Sequence, residues 1–213
     1  MNAKELVNRL HWLGHDSFRL DVPPVIYFDP WKLSGRLPVA DLVLVSHEHY
    51  DHCSPEDVQK IRGPKTVLVA SAGCADRLPG ARIVKPGDQL ELSGVQIEAV
   101  HAYNLTKFRS PGVPYHPRQA GHVGYVVTVD GVRLYFAGDT DAIPEMKEIR
   151  CDVALLPVSG TYTMTAEEAA EAARILNPQI AIPMHYGSGI GSGEDGERFA
   201  HLYEGQVVLL ALG

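Results

Sequence analysis

A chain of 213 residues, 45% apolar and 21% charged, has the balance of a folded globular protein and lies far from the disordered and membrane-embedded classes. No apolar run approaches the roughly 18 residues of a transmembrane helix, and Met1–His11, carrying Lys4, Glu5 and Arg9, lacks the apolar core of a signal peptide, so a cytoplasmic protein with no membrane partner is expected. The formal net charge of −7 argues against a grip on nucleic acid, and three scattered cysteines, Cys53, Cys74 and Cys151, suggest neither a disulfide framework nor a thiolate metal site.

Apolar stretches punctuated by polar and turn residues predict strands at Leu10–Trp12, Phe18–Leu20, Val25–Phe28 and Leu42–Ser46. Ser54-Pro55-Glu56-Asp57 offers an N-cap, a proline at the first helical position and an acidic first turn, which predicts a helix to about Arg62. Strands are expected next at Thr66–Ala70, Arg82–Val84 and Val95–Val100. Gly124–Val129 and Arg133–Ala137 flank Asp130-Gly131, a strong hairpin signal. After a strand at Val153–Pro157, Thr165 and Glu168 form a capping box that opens a helix over Ala166–Leu176, closed by Asn177-Pro178. Strands at Ile180–Pro183 and Val207–Ala211 bracket a third helix, from Glu194 to about Tyr203. With no linker or repeat, one domain over residues 1–213 is expected: an α/β (α+β) fold of two packed sheets with helices outside.

The chemistry is concentrated in Ser46-His47-Glu48-His49-Tyr50-Asp51-His52, directly after the apolar strand Leu42–Val45. It reads His-x-His-x-Asp-His. In extended chain His47 and His49 project to the same side and can share one metal; once the chain turns, Asp51 and His52 can serve a neighbouring position. Imidazole with carboxylate suits zinc, and also manganese or iron. Cys53, beside this loop, reads as a small buried residue.

The motif resembles the signature of the metallo-β-lactamase superfamily, and the resemblance extends over the chain. Phe136-Ala137-Gly138-Asp139-Thr140 is similar to the turn that carries the superfamily's bridging aspartate, and Ile182-Pro183-Met184-His185 to the strand that ends in its last histidine. The resemblance implies a four-layer αββα sandwich holding two divalent metal ions, with His47, His49 and a third histidine at one, and Asp51, His52 and His185 at the other. Asp139 would bridge them. Related sequences often carry the third histidine two residues after an alanine at a strand end, a slot filled here by Asn104. His116 is preferred instead, with His101 as the alternative and His122 last. Trp12-Leu13-Gly14-His15-Asp16-Ser17-Phe18 and Tyr27-Phe28-Asp29-Pro30-Trp31 look like the group containing L-ascorbate-6-phosphate lactonase. They suggest His15 near the ligands and Asp29 as an outer partner of a metal-binding imidazole. His11, His122 and His201 read as ordinary polar residues.

These features together imply a metal-dependent hydrolase acting on an ester, lactone, amide or phosphodiester, with Asp51 and Asp139 as catalytic carboxylates. Zinc is the expected metal. Lys107, Arg109 and Arg118, interleaved with Tyr103, Phe108 and Tyr115, suggest a small anionic substrate; Ser159–Tyr162 reads as a turn. The alternatives are an iron-binding redox protein of the same fold and a metal-binding module without catalysis.

Overall fold

The alternation of side chains along a strand sets the layering of this protein, whose computed structural model describes residues 1–187 and 189–213. After a short helix α1 (Ala3–Val7), the first sheet runs in chain order: β1 (Leu10–Gly14), β2 (Ser17–Asp21), β3 (Val25–Phe28), β4 (Ala40–Val45), β5 (Arg62–Ser71) and β6 (Arg82–Val84). Its first three strands pair antiparallel and β3 to β6 pair parallel, with α2 (Pro55–Ile61) crossing between β4 and β5. The chain then forms β7 (Gln89–Leu92) and β8 (Val95–His101), and a separate hairpin of β9 (Phe108–Ser110) and β10 (Val113–Pro114). β11 (Val123–Val129), β12 (Val132–Phe136), β13 (Val153–Pro157) and β14 (Ile180–Met184) complete a second sheet ordered β14-β13-β12-β11-β8-β7. Helices α3 (Ala166–Leu176) and α4 (Asp195–Leu202) follow β13 and β14 and pack on them.

Ile26, Phe28, Leu42 and Leu44 point from β3 and β4 into the inter-sheet core, while Tyr27, Val43 and Val45 point the other way into a second cluster with Val58 and Ile61 of α2. Parallel strands covered on both faces read as continuous apolar runs for this reason. Phe136 closes the core from the other sheet, its ring 5.2 Å from that of Phe28 and 6.4 Å from that of Phe18. Across the second sheet, α3 lays Ala166, Ala169, Ala170 and Ala173 inward. The result is the expected αββα sandwich.

One expected strand is absent. Val207–Ala211 pairs with β14 only at Val207 and Ala181, then crosses to β1, where Leu212 bridges Trp12. A segment that spans two sheet edges cannot form a ladder with either. The α2 helix ends at Ile61 because Arg62 already belongs to β5, whereas the capping-box helix spans Ala166–Leu176 as its sequence signals indicate. The α1 helix, β7 and the β9–β10 hairpin had no counterpart in the sequence reading; the first is only five residues long but carries its own capping box, Asn2 with Glu5.

Candidate metal centre

Parallel strands deliver their C-terminal ends to the same edge, which is where ligands bind in such sheets. Here β3 ends into Asp29 and β4 into Ser46-His47, while β12 leads to Asp139, β13 to Ser159 and β14 to His185. The β1–β2 turn adds His15 and Asp16. Three of these residues, His15 (φ 53°), Asp29 (φ 39°) and His185 (φ 57°), occupy the left-handed region that non-glycine residues avoid, a concentration of backbone strain typical of functional sites.

The hydrogen bonds behind the imidazoles decide which nitrogen faces inward. Asp29 accepts from the Ser46 backbone N–H (2.7 Å), from Ser46 Oγ (2.5 Å) and from His52 Nδ1 (2.7 Å). Because the Ser46 hydroxyl gives its proton to Asp29, it accepts from His47 Nδ1, 2.9 Å away. Asn104 Oδ1 accepts from His116 Nδ1 at 2.9 Å and from the His116 backbone N–H at 2.8 Å. Ser159 Oγ lies 2.9 Å from His185 Nδ1. In His47, His52 and His116 the proton therefore sits on Nδ1, leaving Nε2 to face the centre.

Three nitrogens converge first. His49 Nδ1 is 3.0 Å from His47 Nε2 and 3.2 Å from His116 Nε2, and these residues form a group able to hold a metal ion. Bonds of about 2.0–2.1 Å to a tetrahedral zinc would set its nitrogen ligands about 3.3 Å apart, so the spacing fits. Burial and the neighbouring His116 press the His49 imidazole down to about 4, and burial with His52 holds His47 well below the usual range; both are neutral, as ligands must be.

A second group lies alongside. Asp139 places its carboxylate 3.6 Å from His52 Nε2 and 3.5 Å from His185 Nε2, while reaching the first triad at 3.2 Å from His116 Nε2 and 4.0 Å from His47 Nε2. Burial opposes its ionisation, yet His185, His52 and His116 hold it well below the usual carboxylate range. Asp51 Oδ1 is 4.0 Å from His52 Nε2, and its Oδ2 meets His15 Nε2 at 3.2 Å. Burial lowers the His52 and His185 imidazoles, but Asp139 and its fellow carboxylates outweigh it and leave both raised, the signature of a field that favours positive charge. His52 Nε2 and Asp139 Oδ1 are buried with no hydrogen-bond partner among the described residues. Orphaned polar atoms of this kind, amid imidazoles whose outer nitrogens are hydrogen-bonded away from the centre, fit divalent cations. The donor set passes the test.

His101 does not join them: it pairs with Val123 in the sheet and packs against Tyr103, 6.0 Å between rings. His116 is the histidine that stands with His47 and His49. His122, read as an ordinary polar residue, is buried with its ring 4.8 Å from that of His47 and its Nε2 3.1 Å from Glu48, whose carboxyl it pulls down to about 2. Sequence reasoning also missed Asn104, Ser159 and Asp141. The Asp141 carboxylate accepts from Asn104 Nδ2 (3.2 Å) and from the backbone of Leu105 and Thr106 (2.7 Å each), clamping the loop that orients His116. Only the proximity of Asp141 to Gly138-Asp139 could have hinted at it. Of the three cations expected at the substrate side, Lys107 is paired with Glu168 at 2.6 Å and Arg118 with Glu145 at 2.8 Å, which leaves Arg109, lying over Tyr115.

The profile of the β-lactamase superfamily domain matches residues 9–185. The chain belongs to that superfamily. A UPF0173 metal-dependent hydrolase of Methanoculleus marisnigri is 36% identical over 185 residues, covering 84% of this chain and 80% of the relative. Another from Thermoplasma acidophilum is 34% identical, covering 91% and 90%. Among solved structures, a candidate metal-dependent hydrolase from Parabacteroides distasonis superposes with a TM-score of 0.85 at 37% identity, covering 96% of this chain and 93% of that one. This hydrolase therefore shares both fold and length with its relatives, and it is an enzyme of the metal-dependent hydrolase class.

Proposed function

We propose that this hydrolase binds two divalent cations, zinc with manganese or iron as alternatives, and cleaves an ester, lactone, amide or phosphodiester in a small anionic molecule. His47, His49 and His116 would hold one ion, Asp51, His52 and His185 the other, and Asp139 would join them. The observation that carries this is the Asp139 carboxylate, approached by four imidazole nitrogens from two ligand groups at 3.2–4.0 Å. When bound, a pair of such ions lowers the pKa of a shared water toward neutrality and polarises the scissile carbonyl or phosphoryl group.

The protein's own part is to hold and orient. Asp29, Ser46 and Asn104 fix the tautomers of His52, His47 and His116, and Ser159 meets His185 Nδ1 at 2.9 Å. Asp51, backed by His15, is placed to orient the attacking water and accept its proton; burial opposes its ionisation, but His15 and His52 keep it low. Exposed Tyr50 and Tyr162, from the His49–Asp51 loop and the turn after β13, offer apolar surface to the body of a substrate, and Arg109 on the β9–β10 hairpin offers a cation to its anionic end. The Trp12–Phe18 turn with its Gly14-His15 and the Tyr27–Trp31 segment support a place beside the lactonase-like group of the superfamily.

The test is reconstitution of metal-free protein with zinc, manganese or iron, followed by a panel of lactones, thioesters, amides and phosphodiesters with and without an anionic group. Two ions per chain and hydrolysis lost in His116→Ala are expected. Failure of every metal to support any hydrolysis, with two ions bound, would leave a binding module as the better account.

A further inference from the structure

Asp16 is the one fully buried carboxylate at this edge with neither oxygen hydrogen-bonded among the described residues. Its Oδ2 is 3.7 Å from His52 Nδ1, too far for a hydrogen bond, and the proton on that nitrogen is already taken by Asp29 at 2.7 Å. The β1–β2 turn holds it there. The His15 carbonyl accepts from Trp12 Nε1 (2.8 Å) and from the His185 backbone N–H (3.2 Å), pinning the turn to the end of β14. Asp16, His15, His52 and His185 each offer a ligand atom, all within 4.8 Å of one another.

Leaving a buried carboxylate without a hydrogen-bond partner costs several kcal/mol, and the imidazoles of His15, His52 and His185 beside it make no hydrogen bond to offset it. A cation would. Of the eight buried side-chain atoms without partners among the described residues, three, both Asp16 oxygens and His52 Nε2, belong to this ligand group, and a fourth, Asp139 Oδ1, lies 3.6 Å from His52 Nε2. Two divalent ions bring four positive charges, against which Asp51 and Asp139 set only two. A third carboxylate and one deprotonated water would complete the balance.

We propose that Asp16 is a further ligand of the second metal position, making it a site of three carboxylates and two histidines. The inference rests on the two-ion reading above and adds a donor to it. An oxygen-rich set with more than four donors favours a harder ion that accepts higher coordination, manganese or iron, over tetrahedral zinc. The two positions would then differ in preference: zinc at the three-histidine site, manganese or iron at the site with Asp16.

Calorimetric titration of the metal-free full chain with Mn²⁺ and with Zn²⁺ compares wild type with Asp16→Asn. Two classes of site are expected in wild type. The variant should weaken one class by about tenfold or more, with a larger loss for manganese, and leave the other within about threefold. The metal-free variant should melt no lower than wild type, since the buried side chain it replaces has no hydrogen-bond partner to lose. Unchanged constants for both metals, or a drop in the melting temperature of the metal-free variant, would overturn the assignment. A manganese-loaded wild-type crystal gives a readout independent of any variant: anomalous scattering should place the second ion within about 2.3 Å of an Asp16 oxygen, and a separation beyond hydrogen-bond distance refutes it. Wild type that takes up a single ion per chain would instead defeat the two-ion reading itself.

Discussion

Asp29→Asn changes one atom and tests how the outer hydrogen bonds set the ligand tautomers. Asp29 accepts at both oxygens: Oδ1 from the Ser46 N–H at 2.7 Å, Oδ2 from Ser46 Oγ at 2.5 Å and His52 Nδ1 at 2.7 Å. An amide accepts at one oxygen only. With its nitrogen in the Oδ2 place, it donates to His52 Nδ1, the imidazole proton moves to Nε2, and the nitrogen 3.6 Å from Asp139 loses its free lone pair. With its nitrogen in the Oδ1 place, it opposes the Ser46 N–H and leaves a buried donor unpaired, at a cost of about 1–3 kcal/mol. In the first arrangement Ser46 Oγ, with two lone pairs, can accept from both the amide and His47, so the first triad keeps its tautomers, while the buried Ser46 hydroxyl proton loses its acceptor at a cost of about 1–3 kcal/mol in stability. The expected loss is therefore confined to one ion and amounts to about 10–100-fold in affinity, or about 1.4–2.7 kcal/mol. Titrating metal-free protein against a chromophoric chelator separates the two classes of site. Equal weakening of both would show that Asp29 acts through the general fold, and no change in either would refute the tautomer argument.

Acid should strip the two positions in sequence. His49 is pressed down to about 4 and His47 is also depressed, so protons do not compete for these two ligands until well into acid, whereas raised His52 and His185 must shed protons to bind a metal at neutral pH. Dialysis at about pH 5.5, between these ranges, should leave one ion per chain against two at about pH 7.5 by elemental analysis; loss of both together would contradict it. His116→Ala should remove the first ion and His101→Ala should leave both, since His101 lies in the sheet beside Val123. Gly124→Ala should destabilise the fold by about 1–3 kcal/mol, because its Cβ would stand 2.8 Å from the carbonyl oxygens of Phe136 and Ala137, backbone atoms that cannot step aside. Thermal melting of the metal-free protein should then show a drop of about 2–4 °C per kcal/mol; an unchanged melting temperature would mean that β11 and β12 separate more freely than their register implies.

Apart from His116, the candidate donors that were legible in the sequence share a physical property: each is anchored by a short-range signal. His47, His49, Asp51 and His52 fall within six residues after an apolar strand, and Asp139 and His185 stand just past the ends of β12 and β14. A strand's period and its C-terminal stop are readable locally, and parallel pairing brings such ends together without further information. Asp16 and the groups behind the donors lack any such anchor. Asp16, Ser159, Asp141 and His122 come from turns and a loop, and their roles depend on distances set by the closed sandwich rather than by neighbours in the chain.

Asn104 shows where the two kinds of information part. It occupies the slot in which the superfamily resemblance expects the third histidine, so local reading registers only a missing ligand. In three dimensions the slot still serves the first position, because Asn104 grips both the backbone and the ring of His116, twelve residues further on. The donor atom has moved to a loop while the position that orients it has stayed at the strand end. A longer excursion carries more conformational freedom to be lost, and the Asp141 clamp on Asn104, Leu105 and Thr106 limits that loss. On this reasoning the β9–β10 hairpin, which lies inside the same excursion, is free to vary in sequence and length without disturbing the metal centre, and it carries Arg109, the one cation of that loop without an acidic partner among the described residues. On the proposed function, substrate preference and metal binding would be held by different parts of one loop, the tip and the anchored base.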